Sequence, residues 1–310
     1  MTYTTPCFFY CPDGNSYFVL SELIHLLPPN PEFVPCTMST ANFRISITFW
    51  LLCLFLGSCQ PSDPLDLTRD LRLHLTGEGG YQDQSSFHWS VDSHGVVPVA
   101  GGAVGEEALR FADSAYLEVA SGHAFFTGDY SISVWIHPTS GGTWTRILDF
   151  NQVAPASGPA VTFLFGRPDS TEVHLWLDQW VMHKGVAVES IVDFSRERPY
   201  DAALGYAVQL DQWQHLAVTY RAEAPNPLGS QTNTKGQTVP LKGEVTLYVN
   251  GQKHSTSGYC LSPQGTTTTN YIGRSLFPAD PYYQGLMDDI RIYDRALSEK
   301  EIEALYALGE

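Results

Sequence analysis

Between residues 71 and 293, apolar positions recur with a period of two, in short runs broken by Gly, Pro, Asn and Asp. Leu71-Arg72-Leu73-His74-Leu75 alternates, and so does Ala115-Tyr116-Leu117-Glu118-Val119. In residues 131–138, Ile132, Val134 and Ile136 share one strand face, with Ser131, Ser133, Trp135 and His137 on the other. Further strands are predicted over 161–165, 172–177, 216–220, 245–249, 271–273 and 287–293. Asn250-Gly251, two residues that tolerate positive φ, predicts a tight hairpin. A helical period emerges only at the end, where Ser298-Glu299-Lys300-Glu301 forms a capping box ahead of Ile302, Leu305, Tyr306 and Leu308. Residues 178–210 and 221–243 read as long polar connections over an edge or face. The expected fold is all-β: a sandwich of two antiparallel sheets with a short C-terminal helix.

The first 68 residues follow another pattern. Residues 45–56 are almost wholly apolar and follow Arg44. As a helix they would span only ~18 Å, short for a bilayer core, which suits a signal-peptide segment. Leu56-Gly57-Ser58-Cys59 comes next and resembles a bacterial lipobox, which implies lipid on the Cys59 thiol. The competing reading is a buried apolar strand that ends in a stray cysteine. The expected layout is a misassigned start or removed extension over 1–37, a lipoprotein signal peptide over 38–58, a tether over 59–68 and one domain over 69–310. The expected location is the bacterial cell envelope, with the lipid as the sole membrane attachment. Gln60 does not favour inner-membrane retention, so the outer membrane or a periplasm-facing site is expected.

Charge and cysteine content narrow the function. The formal net charge is -16, and from Cys59 onward 16 basic residues face 30 acidic ones. Such a surface repels phosphate backbones, so no nucleic-acid partner is expected. After Cys59 the single cysteine is Cys260, so the domain has no internal disulfide and depends on packing or a bound ion. Cys260 reads as a small inert side chain more readily than as a reactive thiol.

A series of signatures then carries a resemblance. Glu107-Ala108-Leu109-Arg110-Phe111 precedes Tyr116-Leu117-Glu118-Val119, followed by Gly128-Asp129-Tyr130 leading into residues 131–138. Gln212-Trp213-Gln214-His215-Leu216, Val245-Thr246-Leu247-Tyr248-Val249-Asn250-Gly251 and Tyr271-Ile272-Gly273-Arg274 come after it. The last is Gly285-Leu286-Met287-Asp288-Asp289-Ile290-Arg291-Ile292-Tyr293, continuing to Ser298. In this order they resemble the LamG-like jelly-roll domains of the concanavalin A-like lectin/glucanase superfamily. The resemblance covers about residues 69–310 and implies two curved antiparallel sheets packed face to face.

That superfamily includes glucanases, whose usual Glu-x-Asp-x-Glu strand aims three carboxylates at one face. The motif is absent. Glu172 and Asp178 share parity but would stand ~20 Å apart, and Asp288-Asp289 are adjacent and face opposite ways. No nucleophile elbow, zinc spacing or phosphate loop is present. The chain is therefore expected to be a non-catalytic binding protein, with carbohydrate as the first candidate partner. A protein-binding adhesion or assembly module for a surface protein, and a diverged polysaccharide hydrolase or lyase, are the alternatives.

Two sets of residues are singled out. Strict alternation puts Asp288 on the face of Ile290 and Ile292, where a carboxylate needs a cation or several N–H donors. Structural Ca2+, which the resemblance also implies, is one answer, with Asp83 as its early partner; backbone hydrogen bonds at a bulge are the other, with Asp289 pairing Arg291. The second set is aromatic. His174, Trp176 and Asp178 share a parity opposite Val173, Leu175 and Leu177, and Trp180 extends the row. Exposed rings could stack on sugar C–H faces while polar neighbours bind hydroxyls, or they could simply fill the core or its rim. Trp144 and Tyr206 are placed in or near loops. Metabolic labelling with a fatty acid should mark the native chain and leave the Cys59→Ala variant unmarked; equal labelling of both would remove the anchor.

Overall fold

The computed structural model describes residues 65–310, apart from 153–159, 167–172, 184–185, 195–205, 224–229, 233–237, 241–242 and 258–264. The expected extension, signal peptide and Cys59, together with Cys260, lie outside the described residues. In chain order the strands are β1 (Leu71–Leu75), β2 (Val91–His94), β3 (Val97–Ala100), β4 (Glu107–Phe111), β5 (Tyr116–Val119) and β6 (Tyr130–Pro138). Then come β7 (Thr145–Asn151), β8 (Ala160–Gly166), β9 (His174–His183), β10 (Val186–Asp193), β11 (Gln214–Arg221) and β12 (Ser230–Thr232). The last are β13 (Thr238–Pro240), β14 (Glu244–Val249), β15 (Gln252–Ser257), β16 (Thr269–Ile272) and β17 (Gly285–Tyr293), followed by helix α1 (Glu299–Tyr306).

Two antiparallel sheets enclose one main core. The eight-stranded sheet runs β15-β14-β11-β6-β17-β4-β3, and β1 also pairs with β17. The seven-stranded sheet runs β10-β9-β8-β7-β16-β5-β2, and β12 pairs with β13 apart from both. Ile132, Val134 and Ile136 of β6 point inward, as their period of two predicts, and meet Phe150, Phe163 and Leu177 from the other sheet. Burying each such side chain is worth about 1.5–3 kcal/mol against exposure. Asn250 and Gly251 form the β14–β15 hairpin at φ 48 and 74, the turn their sequence predicts.

The expectation of long polar connections over 178–210 and 221–243 is corrected. β9 continues to His183 and pairs with β10 from Val186 opposite His183 to Asp193 opposite Trp176, while β12 and β13 make a small hairpin in the second stretch. Val181, Val186, Val188, Ile191 and Val192 are β-branched and favour strand. Polar residues among them hide the alternation, and an edge hairpin needs few apolar positions.

Asp288 is also corrected. A bulge interrupts β17 between Asp288 and Arg291, with Asp289 at φ 45. Before it Met287 lies opposite Ile136, inside, and Asp288 opposite Trp135, outside; after it Ile290 and Ile292 face the core. The extra residue shifts the parity, so Asp288 is not on the face of Ile290 and Ile292.

Helix α1 lies over the outer face of the eight-stranded sheet. Ile302 and Leu305 pack with Leu71, Ala217, Tyr248 and Tyr293, and the Tyr306 ring stacks 5.4 Å from Trp135. The predicted capping box is present: the Ser298 hydroxyl accepts from the Glu301 N–H at 3.4 Å, and the Ser298 N–H donates to Glu301 Oε2 at 2.8 Å. Burial works to raise the Glu301 carboxyl, but donors from Arg295 and Ser298 outweigh it and hold it down at about 2. Ser298→Ala should lower the unfolding free energy by about 1 kcal/mol in urea titration, because it leaves the Glu301 N–H without its cap.

Candidate functional site

With α1 over part of one outer face, the outward face of the seven-stranded sheet is where polar and aromatic residues gather. On β9, Leu175 and Leu177 enter the core. His174, Trp176 and Asp178 fall on the opposite side, registered with Gly166, Leu164 and Thr162 of β8, and Trp180 is registered with Ala160. The Trp180 side chain lies outside the described residues. Trp176 and His174 are brought together, with ring centroids 5.5 Å apart. Asp193 on β10, registered with Trp176, places Oδ2 3.6 Å from His174 Nδ1. Asp178 is half-buried one step along the strand.

The ring that meets solvent is a neighbour. Trp176 is only 5% exposed, whereas Trp144 is 42% exposed, with its centroid 5.1 Å from Trp176 and a 35° tilt between the planes. Trp144 precedes β7 at φ 65, a left-handed conformation that costs a bulky residue about 1–2 kcal/mol. Its surroundings hold it there. Gly166 has no side chain where a Cβ would come within 2.6 Å of the Trp144 nitrogen and the Gly142 carbonyl oxygen. The Thr145 hydroxyl donates to the Gly142 carbonyl at 3.0 Å. Arg146 donates to the Trp144 carbonyl, and its guanidinium reaches Asp280 at 3.0 Å and Asp149 at 3.6 Å. Asp149 in turn accepts from the Leu276 N–H at 2.9 Å. This buried network fastens the segment before β7 and the 275–280 segment to the sheet. Chemically, the cluster offers a flat apolar ring at the surface, a second ring beneath it, and an imidazole and a carboxylate alongside.

Sequence reasoning placed Trp144 in or near a loop and did not choose it as a ligand residue. The available signal was Gly141-Gly142 just before a lone tryptophan, a turn composition that leaves an aromatic at the surface.

The two carboxylates considered for calcium have other occupations. Asp288 accepts from the N–H groups of Asp289 at 2.8 Å, Val104 at 2.9 Å and Gly77 at 3.4 Å. Burial raises its pKa, and those donors oppose the rise. Asp83 accepts from the N–H groups of His74, Ser85 and Trp89 and from the Ser85 hydroxyl. Asp289 binds Arg291 and His74, which together outweigh burial and hold its carboxyl down. The N–H donors to Asp288 supply what a buried carboxylate needs in place of a cation, the second of the two answers the sequence left open for Asp288. Among the described residues there is no group of three or more His, Cys, Asp or Glu that could hold a metal ion.

The two tryptophans should separate in stability measurements. Trp176→Ala should cost about 3–5 kcal/mol in urea unfolding, as for a buried ring. Trp144→Ala should stay within about 1 kcal/mol of the native chain, since the ring is largely exposed and alanine keeps the same Cβ in the left-handed turn.

A family model described as the Concanavalin A-like lectin/glucanases superfamily matches residues 111–303. Among solved structures, domain 4 of AbnA, a GH43 extracellular arabinanase from Geobacillus stearothermophilus, in complex with arabinotriose, is 18% identical with a TM-score of 0.51. That match covers 76% of this chain and 98% of the arabinanase domain. The binding domain of Botulinum Neurotoxin DC in complex with SialylT is 15% identical with a TM-score of 0.49, over 79% of this chain and 53% of that one. The chain thus spans about half the length of the neurotoxin domain. No curated protein matches the sequence. At 18% identity the likeness to the arabinanase domain shows the fold alone, and the family match goes further: the chain belongs to the concanavalin A-like lectin/glucanase superfamily.

Proposed function

We propose that this chain is a non-catalytic carbohydrate-binding module of the bacterial cell envelope, tethered by a lipid on Cys59. The observation that carries the binding reading is Trp144, an exposed ring held in a left-handed conformation over Trp176. Backbone strain of this kind persists only where the surroundings impose it, and it gathers at sites that present a side chain for use. A tryptophan face suits the C–H face of a sugar ring, and the buried His174, with Asp193, lies beside Trp176, the ring that underlies it. The arabinanase domain gives independent support, as a sandwich of similar fold bound to an arabinose trisaccharide. The missing Glu-x-Asp-x-Glu pattern supports binding without hydrolysis.

A glycan array that includes arabino-oligosaccharides should show retention of the purified chain. Calorimetry on the best ligand should show affinity weakened at least about tenfold by Trp144→Ala. Retention unchanged by that substitution would move the site elsewhere. Absence of retention on every glycan would favour the protein-binding alternative, and release of shortened products would favour the hydrolase or lyase.

A further inference from the structure

We propose a second binding site on this same sheet face, in which Arg274, set among Tyr116, Tyr271 and Tyr282, takes the carboxylate of an acidic sugar. It rests on the carbohydrate-binding reading above and extends it to a ligand class. The site lies on β5, β16 and β2, at the opposite end of the seven-stranded sheet from β9 and β10.

The geometry starts from alternation. Leu117 and Ile272 enter the core, so Tyr116, Glu118 and Tyr271 face outward. His94, registered with Tyr116 across the β2–β5 pair, stacks on it at 4.2 Å with planes 7° apart. After Ile272 the chain turns at Gly273, at φ 80, where a Cβ would fall 2.6 Å from the Phe111 ring. The close approach and the left-handed turn both call for glycine, and together they deliver Arg274 to the outer face. The Gly273 carbonyl accepts from the Tyr283 N–H at 2.9 Å, which brings Tyr282 alongside. The Arg274 guanidinium carbon then sits 4.5 Å from the Tyr116 ring centre, 4.6 Å from Tyr271 and 5.9 Å from Tyr282. All four side chains are partly open to solvent.

The guanidinium is held by ring faces but not neutralised. The chain carries 33 acidic residues against 17 Lys and Arg, yet among the described residues no carboxylate pairs with Arg274. Glu118, on the same face, lies 3.6 Å from His94 Nε2 instead. Aromatic faces fix the plane of a guanidinium and leave its N–H edge to donate. That edge matches a planar carboxylate in a two-pronged hydrogen bond, while phenol hydroxyls and ring faces suit the sugar that bears it. A lone positive group on an acidic protein gains little from diffuse attraction, so recognition depends on the fork.

Calorimetric titration of the full chain tests this with three probes: an oligogalacturonate, its methyl ester, and a sulfated galactan oligosaccharide. The oligogalacturonate should bind and the ester should not. Arg274→Gln and Arg274→Lys should each weaken acidic-sugar binding roughly tenfold to a hundredfold, with melting points near that of the native chain. Equal binding of ester and acid, native-like affinity in Arg274→Lys, or preference for the sulfated probe would each overturn the carboxylate fork. Binding of neutral glycans through Trp144 with no response to the acid would sink this site alone, whereas failure of every glycan would sink the carbohydrate reading with it.

Discussion

A sheet with one greasy face must hide that face from water, and in this chain each sheet is the other's cover. Ile132, Val134 and Ile136 on one side and Phe150, Phe163 and Leu177 on the other have no other partner large enough. Once the inner faces are committed, every other residue on those strands is turned outward. On the eight-stranded sheet the helix uses that outer face. Tyr306 lies over Trp135, and His215 is buried against them, its Nε2 2.8 Å from the Ser133 hydroxyl. Burial pulls the His215 pKa down to about 4, with Asp289 opposing the fall and Arg291 adding to it, so this layer is packed with a neutral imidazole. On the seven-stranded sheet, alternation leaves an outer face on which Trp144, Trp176, Tyr116 and Tyr271 can gather.

The late strand shows how a charged side chain solves a backbone problem. β17 keeps β6 along one edge, but its other edge is shared by β4 at residues 285–287 and β1 at residues 290–293. Where those neighbours meet, N–H groups are left over from both ladders. The bulge swings Asp288 outward, and its two oxygens take the N–H groups of Gly77, Val104 and Asp289. One carboxylate thereby ties the end of β1, the approach to β4 and the middle of β17. The next residue, Asp289, faces the His74 imidazole and the Arg291 guanidinium.

Much of this was written plainly in the sequence. The period of two in β6, the Asn250-Gly251 turn and the Ser298 box are local signals, read from residues that touch their own neighbours. The row from His174 to Asp178 was also local, because strand parity alone puts those residues on one side of Leu175 and Leu177. What was illegible depends on contacts between distant segments. The bulge at Asp288 was one of two readings the residues 285–293 left open, and what decides between them is the abutment of strands nearly two hundred residues earlier. The edge hairpin of β9 and β10 was hidden by polar residues that an edge tolerates. The exchange of exposure between Trp176 and Trp144 was hidden too, since it is set by the Gly166 gap and the reach of Arg146 to Asp280.

Both aromatic clusters depend on a glycine of the seven-stranded sheet or its flank that admits another segment where a side chain would stand. Gly166 lets the backbone of Gly142 and Trp144 lie against the end of β8, and Gly273 lets the chain pass the Phe111 ring and release Arg274. In each case the core fixes the glycine, the glycine fixes a turn, and the turn sets an aromatic or cationic group at the surface. Such groups are oriented before any ligand arrives, so less conformational freedom is lost on binding. The same rigid layer of β7, β8 and β16 underlies both, and β7 pairs with β8 on one side and β16 on the other. A saccharide chain that met both clusters would cross that layer, with neutral stacking on Trp144 at one end and charge recognition by Arg274 at the other.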